Sequence, residues 1–169
     1  MIFDGEYLDG LMWNGIIHEP NNINNLYELK DGNGFIKEYN LLLCKLIFEG
    51  YYLNGKRNGE GKEYDYEGRL KFEGEYLNGE RNGKGKEYNF TGEILYEGEY
   101  KNGLRNGKGT EYHFTGGIRY EDEYKNGKRN GKGREYLDNK LIYEGEYFNG
   151  KKNLTIKIIF FSFPIFFFI

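Results

Sequence analysis

Three observations predict an all-β fold of tandem antiparallel hairpins, joined side by side into a thin, extended sheet. A 24-residue phrase recurs from Phe48 to Asn153, opened by Phe48, Phe72, Tyr96, Tyr120 and Tyr143 at spacings of 24, 24, 24 and 23. Self-similarity at such a period marks a repeat array, so any chemistry given to one copy must hold for all. The composition of 26 Gly, 17 Tyr, 13 Phe and only 2 Pro suits strands broken by glycine turns. Within each copy a period-two run such as Tyr96 to Lys101 meets Asn-Gly, which supplies the positive φ angles of a tight hairpin.

Taken in order, Phe3 to Pro20 reads as a worn copy, with Asp4-Gly5-Glu6-Tyr7 and Asp9-Gly10 in place. Ile23 to Ile47 is a second worn unit: Tyr27, Asn33-Gly34 and Lys37-Glu38-Tyr39 stand 25 positions before Tyr52, Asn58-Gly59 and Lys62-Glu63-Tyr64. Residues 1–47 are therefore a degenerate lead-in, 48–153 the regular array, and 154–169 an apolar tail. In each regular copy the first strand leads to the bracketing pairs Asn102-Gly103 and Asn106-Gly107 or their equivalents. A second strand, Lys108 to Phe114, then ends at Thr115-Gly116-Gly117.

Side chains alternate across a sheet, so parity groups them by face. Tyr96, Gly98 and Tyr100 share one side of the first strand, and Glu97 and Glu99 the other. In the second strand Lys108, Thr110, Tyr112 and Phe114 form one set, and Gly107, Gly109 and Glu111 the other. If the aromatic sets coincide, one face carries Tyr and Phe ladders with Lys and Arg among them, and the other carries Glu and Gly. The aromatic face is assigned to Tyr52, Tyr76, Tyr100, Tyr124 and Tyr147, with equivalent residues about 10 Å apart. Gly50, Gly74, Gly98 and Gly145 leave room for neighbouring rings, and Asp122 breaks that rule.

Several chemistries are excluded or left without support. A net charge of −3 from 24 basic and 27 acidic residues marks neither a nucleic-acid nor a membrane protein. One cysteine, Cys44, forbids an internal disulfide, and with His18 and His113 it is too little for a Cys/His zinc cluster. Gly103-Leu-Arg-Asn-Gly-Lys-Gly-Thr110 has the wrong spacing for a phosphate-binding loop and no helix after it. Paired Glu such as Glu97 and Glu99 recur in an open ladder, which fits solvated charge better than an acid-base couple. No catalytic residue, metal ligand or cofactor site is expected. The amino terminus carries no secretory pattern, so a cytoplasmic address is the expectation.

The basic residues offer the most specific route to a function. Arg57, Arg81, Arg105, Arg129 and Lys152 occupy one loop position in successive copies and are expected to form a ladder along an edge. Lys84, Lys108 and Lys132, with Lys86 and Arg134, would add charge beside the aromatic face, a combination suited to phosphate groups and apolar surface together. Solubilising charge balanced by Glu is the plainer account of the same residues.

The phrase Tyr-Glu-Gly-Glu-Tyr-x-Asn-Gly-x-Arg-Asn-Gly-Lys-Gly resembles the MORN repeat, the membrane occupation and recognition nexus family, from Phe48 to Asn153. The resemblance implies tandem antiparallel β-hairpin repeats stacked into an elongated, curved single-layer sheet, and a scaffold. Through it come protein-protein assembly, end-to-end dimerisation and anionic phospholipid contact as expected properties. The chain departs from the family's usual pattern in carrying Tyr where many copies have Trp, an added Lys-Glu-Tyr in the second strand, and an abrupt loss of the motif at Leu154.

The tail Ile158-Ile-Phe-Phe-Ser-Phe-Pro-Ile-Phe-Phe-Phe-Ile169 falls short of the about 20 residues that span a bilayer. Its sudden onset reads as truncation or loss of frame rather than as a membrane-seeking segment. Residues and resemblance together give a non-catalytic scaffold whose concave aromatic face or basic edge contacts a protein partner as the expected function. The alternative is a peripheral module for anionic phospholipid surfaces; nucleic acid is not an expected partner, and self-association stays open.

Overall fold

The computed structural model describes residues 2–20, 22–40 and 42–153. All regular elements in them are strands, so the all-β expectation holds. In chain order these are β1 (Ile2–Leu8), β2 (Leu11–Glu19), β3 (Asn22–Leu29), β4 (Gly34–Asn40), β5 (Lys45–Leu53), β6 (Lys56–Tyr64) and β7 (Leu70–Leu77). They continue with β8 (Glu80–Tyr88), β9 (Ile94–Lys101), β10 (Leu104–Tyr112), β11 (Ile118–Lys125), β12 (Lys128–Leu137), β13 (Lys140–Phe148) and β14 (Lys151–Lys152). Strands β1 to β3 form a three-stranded sheet, and β4 to β14 an antiparallel eleven-stranded sheet in sequential order that is not closed into a barrel. The break between sheets falls between β3 and β4, inside the second worn unit, where the Lys30↔Asn33 bridge closes the turn. The tail reading concerns residues outside those described.

Each hairpin turns where Asn-Gly predicts. Asn54, Asn78, Asn102, Asn126 and Asn149 lie at φ between 49° and 53°, each followed by a glycine at φ between 72° and 93°. Two successive positive φ values twist a two-residue turn the way its strands twist. The turns also tie neighbouring units, because Gly79, Gly103, Gly127 and Gly150 each donate a backbone hydrogen bond of 2.8–2.9 Å to the carbonyl of the arginine one unit earlier.

The second Asn-Gly pair is not part of that turn. Gly59, Gly83, Gly107 and Gly131 sit inside the second strand at φ between 79° and 107°, and in β8 the residues Asn82 to Lys84 bulge out opposite Glu75 alone. The opposite turns are held by a side chain. Asp65 Oδ1 accepts from the Glu67 and Arg69 amides, and Asn89 Oδ1 does the same for Thr91 and Glu93, each in an Asx turn.

A single sheet rarely buries a large side chain completely, yet Phe48, Phe72, Tyr96 and Tyr120 are all 0% exposed. The glycines explain this. Register pairs Gly50 with Gly61, Gly61 with Gly74, Gly74 with Gly85, Gly85 with Gly98 and Gly98 with Gly109, a continuous row across six strands. The opening aromatic of each unit lies on this floor, so a Cβ added at Gly61 or Gly85 would stand 2.7 Å or less from the Phe48 or Phe72 ring. The second tyrosine of the next unit abuts it edge-on. Phe48–Tyr76, Phe72–Tyr100, Tyr96–Tyr124 and Tyr120–Tyr147 centroids are 5.2–5.3 Å apart at 82–86°. With the contacts inside each unit this makes one chain of ten rings from Tyr52 to Tyr143, each fully buried ring worth about 2–3 kcal/mol of apolar burial.

The worn units keep the plan with other side chains. Gly5 and Gly15 pair beneath Phe3, while Ile17, Leu29 and Ile36 make an aliphatic cluster joined to the aromatic chain through Tyr52. Ile36 stands opposite Gly50 and closes the glycine row at that end. At the other end Asp122 replaces glycine between Gly109 and Gly133 and adopts φ 128°, a conformation open almost only to glycine. Its carboxylate meets Arg134 at 3.6 Å. Asp122→Gly is expected to stabilise the array by about 1 kcal/mol through relief of that strain. Thermal unfolding followed by circular dichroism checks this, and a lower midpoint would mean that the Arg134 contact outweighs the strain.

Candidate functional site

The side chains expected to form a binding ladder are built into the aromatic face. Arg57, Arg81, Arg105 and Arg129 are the second residues of β6, β8, β10 and β12, not loop residues, and stand directly across from Tyr52, Tyr76, Tyr100 and Tyr124. Each guanidinium lies over the opening ring of its own unit, 3.9 Å above Phe48 and Phe72, 4.0 Å above Tyr96 and 4.2 Å above Tyr120. Lys152 takes the same place 4.6 Å over Tyr143. These cations are the lid that a second layer of structure would otherwise supply.

Each cation also pairs with a carboxylate from the unit before. Arg57 reaches Glu38 at 2.9 Å, Arg81 reaches Glu63 at 2.6 Å, Arg105 reaches Glu87 at 2.5 Å, Arg129 reaches Glu111 at 2.5 Å and Lys152 reaches Glu135 at 2.6 Å. The same carboxylates accept from the tyrosine hydroxyls: Tyr76 to Glu63 and Tyr100 to Glu87 at 2.6 Å, Tyr124 to Glu111 at 2.9 Å, and Tyr52 to Glu38. The four arginine side chains keep only 17–27% of their surface exposed, and Tyr76, Tyr100, Tyr124 and Tyr147 keep 3–4%. At the end of the array the Tyr147 hydroxyl is buried without a hydrogen bond.

Ionisation follows this geometry. Burial pushes Glu63, Glu87 and Glu111 upward, but hydrogen bonds from Arg81, Arg105 and Arg129 and from the tyrosines outweigh it and hold all three below the ordinary glutamate value. Burial pushes Glu135 upward too, and the bond from Lys152 above all outweighs it and holds this carboxyl down. Tyr76, Tyr100 and Tyr124 are pushed far up, first by burial and then by the neighbouring carboxylate, so they stay protonated donors.

Lys84, Lys108 and Lys132 lie on the opposite face, contrary to the expected mixture of lysine with the aromatic ladder. They stand across from Glu99, Glu123 and Glu146. A parallel row runs Glu49, Lys62, Glu73, Lys86, Glu97 in cross-strand register, so this face alternates in charge. The Lys86–Glu97 pair is 3.7 Å apart. The two rows flank the backs of the glycines and form a trough of about 780 Å³ reaching from Phe35 and Tyr51 to Lys108. The trough therefore lies on this Lys/Glu face, not on the aromatic one expected to meet a partner.

Sequence reasoning missed the partners Glu38, Glu63, Glu87, Glu111 and Glu135. The signal was their parity with Gly59 and Gly61, or with Gly107 and Gly109, in the second strand. Among the described residues no group of three His, Cys, Asp or Glu side chains is placed to hold a metal ion, and no helix is long and apolar enough to cross a membrane.

The sequence pattern of the MORN repeat matches residues 48–68, 72–93, 96–118, 120–140 and 143–153. The chain belongs to the MORN repeat family. The matched segments coincide with the hairpins β5/β6, β7/β8, β9/β10 and β11/β12 and the start of the fifth hairpin. MORN repeats are a scaffold, generally non-catalytic, that often mediates protein or membrane interactions. No curated protein matches the chain in sequence. In this MORN array the aromatic and arginine positions that recur from unit to unit form the core described above.

Proposed function

We propose that the chain is a non-catalytic repeat scaffold that holds a protein partner on its Lys/Glu face. The observation that carries this reading is the fate of the arginine ladder. Its charges are neutralised by Glu38, Glu63, Glu87 and Glu111 and its planar faces are taken up by Phe48, Phe72, Tyr96 and Tyr120, so little remains for lipid phosphates. Anionic membranes attract local cationic excess, whereas the opposite face interleaves Lys with Glu. Alternating charge of this kind favours the specificity of a protein contact over bulk attraction.

A peripheral membrane role would draw instead on Tyr66, Phe90 and Phe114, which stand 53–69% exposed at the tips of successive second turns, Phe90 and Phe114 in ring contact at 5.6 Å. Co-sedimentation with phosphoinositide-containing and neutral vesicles separates the two. A chain ending at Asn153 is expected to remain in the supernatant with both vesicle types at low and moderate salt. Sedimentation with the anionic vesicles alone, reversed by salt, would replace the scaffold reading with the membrane one.

A further inference from the structure

We propose that the trough on the Lys/Glu face is a docking groove for an extended segment of a partner protein, basic at one end and acidic at the other, with its direction set by Glu60. The proposal rests on the scaffold reading above and names the chemistry of what that scaffold holds.

The first observation is a departure from the repeat. The second strand of each unit carries Lys between its two glycines at Lys84, Lys108 and Lys132, but the β6 copy carries Glu60 in that place. Register sets Glu60 directly across from Glu75, both exposed, where the later units set Lys84 across from Glu99 and Lys108 across from Glu123. Like charges directly opposite destabilise a sheet. No stability argument favours Glu there, and an incoming cation would relieve the repulsion.

The second observation is that this departure makes the trough polar along its length. Near Phe35 and Tyr51 the walls carry Glu49, Glu60, Glu73 and Glu75 against Lys62 alone. Beyond them come Lys84, Lys86 and Lys108 against Glu97 and Glu99. A segment that satisfies both ends must place Lys or Arg first and carboxylates after. The lining as a whole is acidic, which disfavours nucleic acid and anionic lipid as occupants.

The third observation is that both ends are marked. At the acidic end Phe35 and Tyr51 form an edge-to-face pair with centroids 5.3 Å apart, a surface for the methylene stem of a lysine or the plane of an arginine. At the other end the trough stops at Lys108, one strand short of Asp122, where the glycine row is interrupted. Between them the floor is glycine backbone spanning six strands, about 24 Å at ordinary strand spacing, enough for about seven residues of extended chain. The volume of about 780 Å³ lies within the range of built binding clefts.

Fluorescence anisotropy with the full chain tests this. The probe is a labelled decapeptide with Lys and Arg alternating with Ser in its first half and Glu alternating with Ser in its second. Saturable binding is expected, weakened at least tenfold by Glu60→Lys. That variant places in β6 the residue three other copies already hold, so its thermal midpoint should equal or exceed that of the parent chain. An all-acidic decapeptide should not bind. Absent binding by the mixed probe, equal binding by Glu60→Lys, or displacement of the probe by anionic vesicles would overturn the proposal. A failed probe with no vesicle sedimentation removes the trough and leaves the scaffold, whereas salt-reversible sedimentation removes both.

Discussion

Gly98→Ala will cost the array about 3 kcal/mol, the upper part of the range for overpacking a filled site. The new methyl would stand 2.6 Å from the Gly109 Cα and 2.7 Å from the Lys108 carbonyl, and would also strike the Tyr96 hydroxyl. Two of these are backbone atoms of the adjacent strand, so side-chain rotation cannot relieve the contact and β9 must move from β10. Displacing Tyr96 also loosens its edge contact with Tyr124 and its stack under Arg105, spreading the damage to the next unit. Each unit of a repeat array is stabilised largely by its neighbours, so the unfolding transition should broaden as well as shift. Gly103→Ala is the control. Nothing lies within 4 Å of a Cβ there, and only the positive φ of 77° is unfavourable, at about 1 kcal/mol. Urea unfolding of the two variants beside the parent chain measures the difference, and equal losses would refute the packed glycine floor.

Acid will unfold the array in a step that takes up several protons. Glu63, Glu87, Glu111 and Glu135 are all depressed below the ordinary value of 4.5 in the folded chain, because their arginine or lysine partners and hydrogen bonds outweigh the upward push of burial. For groups depressed on folding, the stabilisation is fully present above the unfolded value and is lost as pH falls through the folded one. The window therefore opens near pH 4.5 and extends below it. Each carboxylate contributes at most about 1.4 kcal/mol per pH unit there, reached only where it differs by a whole proton between the folded and unfolded chain, and solvent reaching these partly exposed groups lowers that ceiling. The predicted observable is a steep fall in urea midpoint below pH 4.5, made shallower by about one proton in Glu87→Gln. An unchanged slope in that variant would show that Glu87 does not bind its proton preferentially in the unfolded state.

Much of the fold was legible because its determinants are local. Asn102-Gly103 specifies its own turn through φ, and the alternation in Tyr96 to Lys101 specifies a strand, with no knowledge of distant residues. The bulges were less legible. Asn106-Gly107 has the same composition as the turn before it, and only the register across the hairpin, which leaves Asn106 to Lys108 unpaired opposite Glu99, reveals that it bends the second strand instead. The face assignment was within reach of the sequence. A two-residue turn at Asn102-Gly103 sets Tyr100 opposite Arg105, which puts Arg105, Gly109 and Glu111 on the aromatic side and Lys108 on the other. The bulge inserts two residues, so parity survives it.

The sequence by itself determined the repeat, the hairpin, the parity of each strand and the family, since each depends on residues within one unit or on their recurrence. Tertiary structure alone decided the role of the arginines. Arg105 lies 18 residues from Glu87 and needs the strands of two units in register to reach it, and only then does its guanidinium close over Tyr96. It likewise decided where the trough ends and that Glu60 faces Glu75 inside it, because cross-strand neighbours are fixed by pairing rather than by order along the chain.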